Sequence, residues 1–141
     1  MKYFIKLNIV SLIYSFMLFV SIELQLNYYR LWRLLNWEGE KLEIVLLGLQ
    51  LVVFITLSLL LYFLTRKWLV GKWLRYWTMV LWLPYMVFFI MIFAYLFPIT
   101  DRGDRPAPVQ GLVIMAQVIG FPFYIGFLNL ISQFTNTDIE G

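Results

Sequence analysis

The spacing of charges constrains this chain more than any other feature. Lys6 and Glu23 are separated by 16 uncharged residues, Glu43 and Arg66 by 22, Arg75 and Asp101 by 25, and Arg105 and Asp138 by 32. A hydrocarbon core about 30 Å thick is crossed by roughly 20 apolar residues in a helix. Three of the runs are long enough outright. The first reaches the length because Lys6 can extend its ammonium to the headgroups and the uncharged "LQLNYY" follows Glu23. None of the runs alternates polar with apolar residues as a barrel strand would. The pattern predicts an all-α integral membrane protein. Four transmembrane helices are expected near 4–23, 44–64, 76–98 and 109–132, packed as an antiparallel bundle in a single transmembrane domain over 1–141.

Composition agrees. The chain is 62% hydrophobic and 13% charged, where a soluble domain carries about 25% charged residues. The start, "MKYFIKLNIVSLIYSFMLFVS", has the basic end and apolar middle of a signal peptide. Phe19 occupies the −3 position of a cleavage after Ser21, where a small residue is required. The segment is therefore expected to stay as the first helix. Cysteine and histidine are absent, which removes thiol chemistry, thiolate or imidazole metal sites and imidazole bases. No metal or other cofactor is expected.

Orientation follows from Lys and Arg. The short loop "TRKWLVGKWLRYW" carries Arg66, Lys67, Lys72 and Arg75 without an acid. With Lys2 and Lys6, six basic residues lie on that side, against five (Arg30, Arg33, Lys41, Arg102, Arg105) on the other. This favours both termini in the cytoplasm. Arg66, Lys67, Trp68, Lys72, Trp73 and Arg75 read as interfacial lipid contacts, since Trp sits at headgroup level and each basic residue gains about 1 kcal/mol from anionic lipid. Basic residues among aromatics also suit nucleic acid, but a short loop between two spans fits membrane lipid better, and no nucleic-acid partner is expected.

After the first span, "ELQLNYYRLWRLLNWEGEKLE" places Leu24, Tyr28, Leu31 and Leu35 on one helical face and Gln25, Arg33 and Asn36 on another. This predicts an amphipathic helical extension, continuing helix one or lying in the interface, with Gly39 as the break before helix two. Tyr28, Leu31 and Leu35 are candidate partner-facing residues. So are Arg102 and Asp104 in "FPITDRGDRPAP", on the outer hairpin. That stretch contains Arg-Gly-Asp, which turn chemistry explains without adhesion: Pro98 closes a helix, Pro108 starts one, Gly103 turns and the charges cancel.

Helices two, three and four contain no Asp, Glu, Lys or Arg, whereas proton relays and ion-coupled transporters rely on them. Gln50 and Gln117 fall at similar depths, and a side-chain amide in hydrocarbon needs a partner, so an amide pair between helices two and four is expected. Ala116 and Gly120 form a small-xxx-small pair expected to pack on another helix. Glu23 reads as the outer end of helix one.

Part of the chain resembles the four-helix inner-membrane immunity proteins that protect bacteria from pore-forming colicins. The matching stretches are "LLYFLTRK" closing helix two, "LPYMVFF" and "AYLF" in helix three, and "DRP" followed by "FPFYIGF" in helix four. They cover roughly the second half. The resemblance implies a bundle in the bacterial inner membrane, with both termini cytoplasmic, that meets an inserting toxin's apolar helices and blocks channel opening.

No nucleophile, paired acid, metal-ligand or glycine-rich phosphate motif supports an enzyme. The expected function is non-enzymatic: helix–helix interaction with another membrane protein, in an accessory, regulatory or immunity role. The alternative is an oligomeric small channel or transporter, for which a homo-oligomer would complete the pore.

Overall fold

The computed structural model describes residues 2–69, 73–98, 100 and 108–140, with side chains up to 134. The described residues form five α-helices: α1 (Lys2–Leu26), α2 (Tyr28–Leu35), α3 (Gly39–Trp68), α4 (Thr78–Leu96) and α5 (Pro108–Glu140). A short 3-10 turn, Trp73–Trp77, leads into α4. Segments Lys2–Leu26, Gly39–Trp68, Trp73–Leu96 and Pro108–Phe134 are long and apolar enough to cross a membrane. Each contains one of the four uncharged runs almost whole.

The helix ends follow local chemistry. Pro108 opens α5, where its missing N–H is lost at no cost. Phe97 and Pro98 follow the end of α4. The amphipathic extension is a separate helix. Its separation from α1 falls at Asn27, whose side chain turns back to accept its place on α1: Nδ2 donates to the Glu23 carbonyl at 2.8 Å and to Glu23 Oε2 at 2.9 Å. The expected break at Gly39 lies slightly earlier. Asn36 ends α2 in the left-handed region at φ 53°, a conformation that Asn tolerates better than other side-chain-bearing residues. Gly39 is instead the first residue of α3.

The first helix is the centre of the packing. In its most apolar window 44% of residues are buried, against 11% in each of the other three. Val10, Tyr14, Leu18 and Ile22 repeat every fourth position and point into the core. Around them pack Leu61 of α3, Trp82 and Met86 of α4, and Phe121 and Ile125 of α5. Tyr14 meets the edges of Phe121 and Tyr124, with ring centroids 6.1 and 6.3 Å apart.

Small polar groups close the helix contacts. Ser15 Oγ donates to the Trp82 carbonyl at 2.6 Å and to that of Ser11 at 2.9 Å. Asn129 Nδ2 donates to Thr78 Oγ1 at 3.0 Å, and Thr78 donates on to the Arg75 carbonyl at 2.7 Å. A buried polar group away from water needs a partner, and these hydrogen bonds join α1 to α4 and α4 to α5, while Asn129 Oδ1 is buried without one among the described residues.

Candidate functional site

The outward faces of α3 and α5 part along the middle of the fold. Between Leu46 and Leu61 no residue of α3 is buried. Here α1, α3 and α5 leave a groove of about 270 Å³, walled by Met17, Leu18, Val53, Phe54, Phe121 and Tyr124. The polar groups Ser21, Gln50 and Gln117 face into it, and Gly120 forms part of its wall. Its lower end is fixed by a hydrogen bond between Ser58 and Tyr124 and by the Phe54 and Tyr124 rings, 5.3 Å apart. A second, smaller cleft of about 180 Å³ shares Gln50 and continues past Gln25, Gln110 and Glu43 to the loop end of the helices.

Three glutamines are chained along this cleft. Gln110 Nε2 donates to Gln25 Oε1 at 2.7 Å, and Gln25 Nε2 donates to Gln117 Oε1 at 3.1 Å and to Ser21 Oγ at 3.3 Å. The expected Gln50–Gln117 pair is therefore replaced. Gln117 takes its hydrogen bond from α1, and Gln50 faces the same groove from α3. The sequence signals for the missing members were present: Gln25 lies one turn beyond Ser21, and Gln110 lies two turns before Gln117 on the same face of α5.

The small pair Ala116 and Gly120 is exposed. A Cβ on Gly120 would have no atom within 4 Å. The expectation that these residues pack on another helix is thus corrected within this chain: they border open space. The glycine of α5 that does lie close to a neighbour is Gly126, whose added Cβ would sit 3.1 Å from Met79 Cε.

At the opposite end of the helices, Arg66, Lys67 and Trp68 lie together on the last turn of α3. Lys67 and Trp73 are exposed, Arg66 and Trp68 half-buried, and Lys6 places its ammonium 5.9 Å from the centre of the Trp68 ring. Arg75 departs from the expected lipid contact. The 3-10 turn carries it inward and leaves it 3% exposed, near Tyr3. Lys72 lies outside the described residues, as do Arg102, Gly103 and Asp104 of the outer hairpin.

Among the candidate partner-facing residues, Tyr28 turns toward α3. Its hydroxyl donates to Glu43 Oε1 at 3.3 Å and lies 3.5 Å from the Gly39 carbonyl. Desolvation, and then the Glu43 charge, push the phenol above its ordinary range, so it remains a donor. Leu31 is half-buried; Leu34 and Leu35 are exposed. Among the described residues no group of three or more acids could hold a metal ion. The site is thus an apolar groove with an amide floor, able to hold an apolar body and to exchange hydrogen bonds at one depth. Comparison with family models, with curated proteins and with solved structures finds no match to this chain.

Proposed function

We propose that this chain is a non-enzymatic integral membrane protein that binds a transmembrane helix of another membrane protein in the groove between α1, α3 and α5. The observation that carries this reading is the combination at Gly120: open space over the glycine, beside the Gln50 and Gln117 amides. A lipid tail would fill the space but offer no hydrogen bond, leaving the Gln50 amide unsatisfied in hydrocarbon at a cost. A helix brings both a surface that packs on small residues and side chains or carbonyls that can meet an amide. An accessory, regulatory or immunity role follows from such binding. The resemblance to colicin immunity proteins makes an inserting toxin helix the first partner to try.

The surrounding architecture in this proposal is an antiparallel bundle in the bacterial cytoplasmic membrane with both termini inside. Supporting contacts are Phe16 and Phe19 against Phe89 and Phe93, which set α1 and α4 in one direction, and Thr78 with Asn129, which together with Trp82 against Phe121 sets α5 against α4. The orientation has its own test. A cysteine at Glu38 is expected to react with an impermeant thiol reagent on intact cells, and one at Lys67 only after lysis. The reverse pattern overturns the orientation.

The function test uses a photo-crosslinking residue at Val53 or Val20, inside the groove, and at Val87, which is 54% exposed on α4. Crosslinks to one protein partner are expected from the first two positions and not from the third. Gly120→Leu is expected to abolish them while leaving unfolding in detergent unchanged. Crosslinks to lipid alone, with flux of ions or solutes in reconstituted liposomes, would favour the channel alternative.

A further inference from the structure

We propose that a separate cavity, between the loop ends of α1 and α4, binds an organic cation with an apolar body, its charge held by the Glu23 carboxylate. This site shares no residue with the groove and does not rest on the partner reading. The cavity measures about 340 Å³, with Glu23 and Asn27 on the α1 side and Ile90, Phe93, Phe97 and Pro98 on the α4 side. Among the described residues its lining is apolar apart from that carboxylate and its amide neighbour.

The carboxylate is fixed in place. Asn27 holds Oε2 at 2.9 Å while the same amide nitrogen donates to the Glu23 carbonyl, and Asn27 itself is only 9% exposed. The rings of Phe93 and Phe97 have centroids 5.1 Å apart. Aromatic faces attract cations through their quadrupole, and a fixed carboxylate in a weakly polar wall adds a stronger pull than it would in water. A bare metal ion fits poorly, because it needs several oxygen ligands and, among the described residues, Glu23 is the one acid lining the cavity. A large hydrated anion is repelled. An ammonium carrying hydrocarbon matches both the charge and the walls.

The protein has its own cation nearby. Arg30 Nη1 donates to the Phe97 carbonyl at 3.1 Å, and Arg30 is close enough for its charge to act on Glu23. A ligand cation therefore competes with Arg30 for the carboxylate. This gives the site a signature that simple partitioning of a greasy cation into a micelle cannot produce: removing one charge weakens binding and removing the other strengthens it.

The test is calorimetric titration of the full chain, in an uncharged maltoside detergent, with benzyltriethylammonium. Saturable one-site binding is expected. Glu23→Gln should weaken it by about tenfold or more, and Arg30→Gln should tighten it. Ala94→Phe, which fills the cavity and leaves the carboxylate intact, should also weaken it, and it keeps the proposal testable if Glu23→Gln fails to fold. Absence of saturable binding to the parent protein overturns the proposal. So does a folded Glu23→Gln or Ala94→Phe that binds as tightly as the parent. A short-chain phosphatidylethanolamine is then added as competitor. Displacement supports the amine headgroup of a lipid as the ligand source, and failure to displace supports a free amphiphilic cation.

Discussion

Replacing Trp82 by alanine is expected to lower the stability of the fold by about 3–5 kcal/mol, the cost typical of removing a buried large aromatic. Trp82 is 1% exposed and sits where α1, α4 and α5 meet. Its ring meets the edge of Phe121 at 5.0 Å between centroids, and its indole N–H donates to the Met79 carbonyl at 2.8 Å. In a membrane the usual hydrophobic driving force between helices is weak, because lipid tails are as apolar as the side chains. What alanine removes is therefore close contact, and a void too small for a lipid tail has nothing to replace it. Trp82→Phe keeps much of the ring and should cost less than half as much. Trp77→Ala is the control. Trp77 is 48% exposed, and its loss should change stability by no more than about 0.5 kcal/mol. Reversible unfolding in mixed micelles measures all three. Equal losses for Trp77 and Trp82 would mean that the core is not centred where these contacts place it.

Much of this architecture is legible in the order of residues, for a specific reason. A bilayer fixes how long an uncharged helix must be to cross it, so charge spacing alone locates the four helices long and apolar enough to do so, and Pro108 marks a helix start by what its ring forbids. Azimuth is harder. Equal depth along the span suggests a Gln50–Gln117 pair, but depth leaves the rotation of each helix undetermined. Gln25, arriving from α1, reaches Gln117 instead. The same gap explains Ala116 and Gly120. A small-xxx-small pair says that a close neighbour is permitted, and says nothing of whether that neighbour belongs to the same chain. Arg75 stands in a basic run, which points to a lipid contact. A short 3-10 turn has about three residues per turn, where an α-helix has 3.6, and this changes which residue points inward.

Gly126 is where overpacking should be felt, in contrast to Gly120 six residues earlier. A Cβ added at Gly126 meets Met79 Cε at 3.1 Å and Sδ at 3.2 Å, tighter than ordinary contact. The obstacle is the far end of a flexible side chain, which can move by a few tenths of an ångström. Gly126→Ala should therefore cost little. The strain is offset by the gain of about 0.8–1.0 kcal/mol in helix propensity when alanine replaces glycine in soluble hosts. Leucine cannot be absorbed in this way. It must displace Met79, which packs beside Trp82 and Ile125 in the core. Gly126→Leu is expected to destabilise the protein by about 1–3 kcal/mol. If Met79 is the cause, truncating it makes room. The same Gly126→Leu change in a Met79→Ala background should then cost clearly less, and a double-mutant cycle reads the difference as coupling. A Gly126→Leu penalty that is unchanged by Met79→Ala would show that another neighbour, and not Met79, closes α5 against α4. Gly120→Leu runs alongside as the reference. With open space over its Cβ it should leave stability within about 0.5 kcal/mol of the parent, so that any loss of partner crosslinking it causes is read at the groove and not through the fold.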